Sequence, residues 1–210
     1  MNKQQSGFTL VEIAIVLVII GLLLGGVLKG QELITQAKIK NVANDLNGMT
    51  AAIYGYQDRY KRLPGDDPGA TRWPLIAAPG DGNNVVDDNY ASTTSTDESR
   101  LFWAELRLAG FIAGATDTLD NATAQPINAT GGIVGAQSGG LGLAGLIVCT
   151  GSLPAKIAQA IDSQFDDSNA TTGNVRALLE DAPPTALTAA APDENYEDNG
   201  TNLYVLCKNI

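Results

Sequence analysis

An apolar run near the start of the chain limits what it can fold into more than any other feature. From Phe8 to Leu28, twenty-one consecutive residues carry one ionisable side chain, Glu12. A helix of that length can cross the hydrocarbon core of a bilayer. A removable secretory signal would have a shorter apolar region closed by an Ala-x-Ala-like site, whereas this run ends Gly25-Gly26-Val27-Leu28-Lys29-Gly30. Cleavage after the run is therefore disfavoured. A carboxylate inside such a span costs about 3 kcal/mol on insertion scales, so Glu12 calls for a partner and a purpose.

Charge is also unevenly placed along the chain. The 210 residues include 13 Lys and Arg, 23 Asp and Glu, two Cys and no His. Residues 1–63 hold seven basic and four acidic side chains, net +3, and residues 64–210 hold six basic and nineteen acidic, net −13. Nucleic-acid binding needs clustered Lys and Arg, which the acidic part lacks. Without His there is no Ser-His-Asp triad, Cys-His pair or His-containing zinc site, and no other convergent set of catalytic groups stands out. The sequence reads as that of a non-enzyme.

Beyond the span the apolar residues narrow to a stripe. Ile39, Val42, Leu46, Met49, Ile53, Tyr56 and Tyr60 recur at alternating spacings of three and four, the pattern of an amphipathic helix. Pro64-Gly65 is the expected stop. Residues 8–63 thus read as one helix of roughly 80 Å at ~1.5 Å per residue, its first half in the membrane and its second packed on a domain. A short coiled coil is the alternative for the stripe. Gly21, Gly25, Gly26 and Gly30 are either weak points, at about 1 kcal/mol each relative to Ala, or small residues for close helix packing in the membrane.

Residues 64–210 read as a globular head. Ser95-x-x-Glu98 is a candidate capping box for a short helix that Gly110 would stop. Residues 131–149 and Leu203–Cys207 read as strands by residue type, with a helix from Pro154 to Phe165 between them. Residues 182–202 form an acidic, low-complexity loop. Asp81, Asn83 and Asp87 offer hard oxygen ligands at calcium-loop-like spacing, without the Gly and distal Glu of an EF-hand. Calcium is the one cofactor candidate. Asn121, Asn128 and Asn169 open Asn-x-Thr triplets, as chance allows in a chain rich in both residues.

The string Met-Asn-Lys-Gln-Gln-Ser-Gly7, followed by Phe8-Thr-Leu-Val-Glu12 at the head of the apolar run, resembles the prepilin signature of type IV pilins and the related pseudopilins of type II secretion. The resemblance implies removal of a leader, residues 1–7, by a prepilin peptidase cutting between Gly7 and Phe8, with N-methylation of Phe8. Glu12 becomes the fifth mature residue, the acid that the family uses in assembly. The segments are then the leader at 1–7, the helix at 8–63 and the head at 64–210. Many pilins carry a helix-breaking proline near Gly25–Gly30, and this sequence does not.

The resemblance also implies an α+β, pilin-like fold: a long N-terminal helix, membrane-spanning in its first half, packed on a small antiparallel sheet with a disulfide-closed C-terminal region. Cys149 and Cys207, an even count in an exported domain, are expected to pair. Lys3 alone precedes the span while Lys29, Lys38 and Lys40 follow it, which by the positive-inside rule alone would keep the head in the cytoplasm. The more specific prepilin string implies the opposite: a single-pass inner-membrane precursor and an extracellular or cell-surface filament. The implied function is that of a filament subunit, with a type II pseudopilin or a minor, tip-located adhesive pilin as alternatives. Implied partners are copies of itself, minor pilins, the peptidase, an inner-membrane platform with its ATPase, and the membrane before assembly.

Overall fold

The stripe on the second half of the helix is the wall on which the head is built. In the computed structural model, which describes residues 9–181 and 183–210, helix α1 runs Leu10–Tyr60 without a break at its glycines. Contacts divide the chain between Ala37 and Lys38 into two compact units. In the first, every Leu, Ile and Val from Leu10 to Leu28 is between 46% and 87% exposed. In the second, Ile39, Val42, Leu46, Ile53 and Tyr56 are buried, with Met49 and Tyr60 partly so, all in one cluster with the sheet and the shorter helices. The 3-4 spacing of the stripe is thus a buried face.

The helix stops earlier than Pro64. Lys61 turns into the left-handed region (φ 56°) and its N–H closes on Gln57 O, so Pro64 only prevents resumption. A 3₁₀ turn follows at Pro68–Arg72, then helix α2 at Glu98–Leu108 and a short helix α3 at Leu119–Thr123. Helix α2 buries Leu101, Phe102, Trp103, Ala104 and Leu106. It ends in a Schellman motif: Gly110 (φ 79°) N–H bonds Arg107 O, and Phe111 N–H bonds Leu106 O. Phe111 then lies across α1 at Gly55, where a Cβ would come within 2.7 Å of its ring.

The sheet contains β1 (Val134–Gly140), β2 (Leu143–Pro154), β3 (Val175–Leu179) and β4 (Leu203–Asn209), all antiparallel in the order β1-β2-β4-β3. Helix α4, Ala155–Phe165, follows β2, with Pro154 at its N-cap. The last strand in sequence therefore fills a central place. Alternate residues face two different clusters. Leu146, Val148, Tyr204 and Leu206 join the stripe of α1, while Ile147, Cys149, Val205 and Cys207 join Tyr90, Leu141 and Leu143 on the other face. Burial on both faces is why Leu146–Cys149 is apolar throughout instead of alternating.

The region 131–149, which reads as a single strand, is a hairpin. Leu141 (φ 51°) and Gly142 (φ 72°) make a two-residue turn with both central residues at positive φ, the twist-matched form for a hairpin. A leucine there is strained by about 1 kcal/mol. Its complete burial in the second cluster offsets that cost.

Cys149 and Cys207 are register partners across β2 and β4 and form the disulfide, 58 residues apart in sequence. Closing a loop of that size stabilises by about 4 kcal/mol on the chain-entropy model. Denaturation of the full chain in detergent, with and without reductant, should show a loss of that order, and mass analysis of the native protein should find both thiols blocked.

Candidate assembly and processing site

Three acids, two in the loop before α2 and one at its first residue, have clear partners. Asp66 is fully buried; its Oδ1 accepts from Gly82 N (2.6 Å) and Asn83 N (3.1 Å), and its Oδ2 from Asn84 N (2.7 Å). Glu98 accepts from Asp81 N at 3.2 Å and Asp87 N at 2.9 Å, one on each oxygen. Asp81 accepts from the backbone and side-chain nitrogens of Asn83, at 3.0 and 3.1 Å. These three carboxylates gather within 4.8 Å of one another. Of the expected calcium ligands, Asp81 is in the cluster, Asn83 reaches it through its nitrogens while its Oδ1 accepts from Val85 N, and Asp87 contributes its N–H to Glu98. Hard oxygens in this number suit calcium chemically, and each of the six also accepts an N–H bond, so the cluster fastens a loop as well. Burial pushes the Asp66 and Glu98 carboxyls above their ordinary range, helped by the neighbouring charges and opposed by those amide bonds. A second acidic group, Asp162, Asp166 and Asp167, likewise ties the turn after α4 to Tyr196, Ser168, Val175 and Thr172.

At the other end of the chain, Gly7 and Phe8 lie outside the described residues. Thr9 and Glu12 open α1. Thr9 O accepts from Ile13 N, which makes Thr9 the N-cap of α1. Glu12 Oε2 accepts from Thr9 N (2.8 Å) and from the Thr9 hydroxyl (2.8 Å), and Glu12 N donates to Thr9 Oγ1 (3.3 Å). This is a capping box, which satisfies helix-end donors reciprocally where no water need be present. It also sets a negative charge against the positive end of the helix dipole. The carboxylate that the sequence reading gives to a neighbouring subunit thus has a partner within its own turn. That partner is legible as Thr9-x-x-Glu12 ahead of an apolar run.

Residues 2–28 match the family model for the prokaryotic N-terminal methylation motif. The chain carries the type IV prepilin signature. No curated protein and no solved structure matches it. The prepilin signature covers the entry turn and the apolar first part of α1, a helix long and apolar enough to cross a membrane. It places Thr9 and Glu12 inside the motif and leaves the head's loop cluster outside it.

Two outcomes follow for these residues. Thr9→Val removes the hydroxyl from the box and should weaken the first turn by about 1 kcal/mol, seen as roughly fivefold faster amide exchange at Glu12 and Ile13 of the chain in micelles. Asp66→Asn turns a threefold acceptor partly into a donor facing amides, and denaturation should show a loss of about 2 kcal/mol, with a smaller effect for the exposed Asp81.

Proposed function

We propose that the chain is the structural subunit of a type IV pilus-like filament, held as a single-pass inner-membrane precursor until prepilin peptidase removes residues 1–7. The carrying observation is the joint one. The prepilin signature at residues 2–28 opens a helix whose apolar side chains are exposed all round from Leu10 to Leu28. A surface of that kind needs lipid first and other helices afterwards. The role needs no chemistry from the head, and the partners are copies of the chain, minor pilins, the peptidase and an ATP-driven platform in the inner membrane.

Cleavage between Gly7 and Phe8 would create an ammonium one residue before Thr9. In the assembled state that ammonium, from a neighbouring copy, is the counter-ion for Glu12, and neutralising two charges together offsets the cost of burying either. The capping box keeps the carboxylate hydrogen-bonded until the exchange occurs. Without the leader and its Lys3 the chain has +2 up to Leu63 and −13 beyond, which leaves the acidic part to face water.

Glu12→Ala should be processed normally and fail to build filaments, read by mass analysis of the cleaved chain and by imaging of sheared surface material. Normal filaments from this variant would refute the pairing. Filaments in which this chain is the main protein support the pilus reading; a chain required for protein export and missing from surface filaments would make it a pseudopilin.

A further inference from the structure

One hydroxyl in the head faces two carboxylates. Tyr56 Oη, on α1, lies 2.9 Å from Asp67 Oδ2 and 2.9 Å from Glu105 Oε2. Tyr56 and Glu105 are fully buried and Asp67 is 1% exposed. A phenol has one proton to donate, so with both carboxylates ionised one of the two contacts would set lone pair against lone pair. A second proton resolves the conflict, and the surroundings decide which acid holds it.

Asp67 is provided for as an anion. Its Oδ2 accepts from Arg72 Nη1 at 2.8 Å and its Oδ1 from Gly69 N at 2.8 Å. Burial alone would raise its carboxyl, but the bonds from Arg72, Tyr56 and Gly69 outweigh it and hold it below the ordinary range. Among the described residues no cation is bonded to Glu105. Gly65 N donates to its Oε2 at 2.7 Å, and its Oε1 has no hydrogen-bond partner among the described residues. The groups that face it are Tyr56 from α1 and Asp67 and Arg72 from the segment after α1. Burial, with the charge of Asp67 adding to it, pushes Glu105 up to about 8 against the bonds from Gly65 and Tyr56.

We propose that Glu105 is an uncharged acid in the folded head, donating to Tyr56 while Tyr56 donates to Asp67, and that this proton closes a pH-sensitive clamp. The chain Glu105–Tyr56–Asp67–Arg72 joins α2, the end of α1 and the 3₁₀ turn, and Gly65 ties in the segment between them. Arg72 continues it outward, stacking at 4.5 Å on Tyr60 and 4.8 Å on Trp73. Loss of the proton puts an anion without a cation of its own beside Asp67 and leaves the hydroxyl to choose between them. The clamp is then weakened where α1 meets the rest of the head.

The sign follows from linkage. Glu105 holds its proton more tightly folded than unfolded, so unfolding releases it in the window between the ordinary value of 4.5 and about 8. Through that window this one group should raise the unfolding equilibrium constant about tenfold per pH unit. Its stabilisation is complete below the window and lost above it.

The test uses the full chain in detergent micelles, with glutamate carboxyl carbons labelled and assigned through bonds to the backbone. The Glu105 carbon should titrate with a midpoint near 8; a midpoint in the ordinary glutamate range would overturn the proposal. Denaturation followed by tryptophan fluorescence from pH 5.5 to 7.5 should show a dependence shallower by about tenfold per pH unit in Glu105→Gln than in the unmutated chain. An unchanged slope in that variant would also overturn it. The titration is read on the unmutated chain and decides the matter even if Glu105→Gln does not fold.

Discussion

A stripe of seven side chains on the second half of α1 has to be covered, and most of the head follows from that requirement. Ile39, Val42, Leu46, Ile53 and Tyr56 are covered by one face of the sheet and by α2 and α4 in a single cluster. That face cannot be supplied by the hairpin β1–β2 alone. The chain brings its last strand, β4, back between β2 and β3, and the disulfide fixes it there at Cys149 and Cys207. The opposite sheet face then needs cover of its own, from Tyr90, Leu141 and Leu187. Backbone bonds from Leu141 and Gly142 to Thr188 and Ala189 hold part of the long C-terminal loop in that place.

What could be read from the residues was whatever a local period or a single special residue specifies. The stripe of α1 was legible because three-four spacing admits one helical face, and the end of α2 because Gly110 has the conformational freedom that a Schellman motif asks for. The paired cysteines were legible from their number. The hairpin turn at Leu141-Gly142 was not, because its first residue is a buried leucine at positive φ, held there by tertiary packing that no local pattern encodes. Strand β3 has five residues and α3 has five, too short for periodicity to stand out.

Two strings of the same form show why a motif needs its setting. Thr9-x-x-Glu12 and Ser95-x-x-Glu98 both fit a capping box. The first forms one, since among the described residues the carboxylate meets nothing nearer than its own turn. The second does not: α2 begins at Glu98 itself, and the carboxylate is drawn away to the amides of Asp81 and Asp87. All but one of the Asn-x-Thr triplets, Asn121 being the exception, have an equally local explanation. At Asn128 and Asn169 the side-chain oxygen accepts both the N–H and the hydroxyl of the Thr two residues on, and Asn199-Gly-Thr201 repeats it. These are backbone turns held by a side chain, and Asn128 is buried.

The surplus of acids in the head therefore has two components. Part of it is solvated surface, as on the loop carrying Asp193, Glu194 and Asp198, all exposed. The rest, at Asp66, Asp67, Glu98, Glu105, Asp162 and Glu180, is inside or at the edge of the core and accepts N–H or O–H bonds that loops without regular structure would otherwise leave unmade. Glu12 belongs with these by its chemistry, although it lies in the apolar span. In every case the acid is tolerated because donors within a few residues, or on the segment packed against it, take the place of solvent. Glu12 and Glu105 differ in how the remaining charge is handled. Glu105 is locked in a finished core and, as proposed, keeps a proton, whereas Glu12 stands at a helix end where the proposed assembly would exchange its local donors for a cation from another copy. That difference in access suits one acid to hold the head together and, in the proposed filament, the other to join one chain to the next.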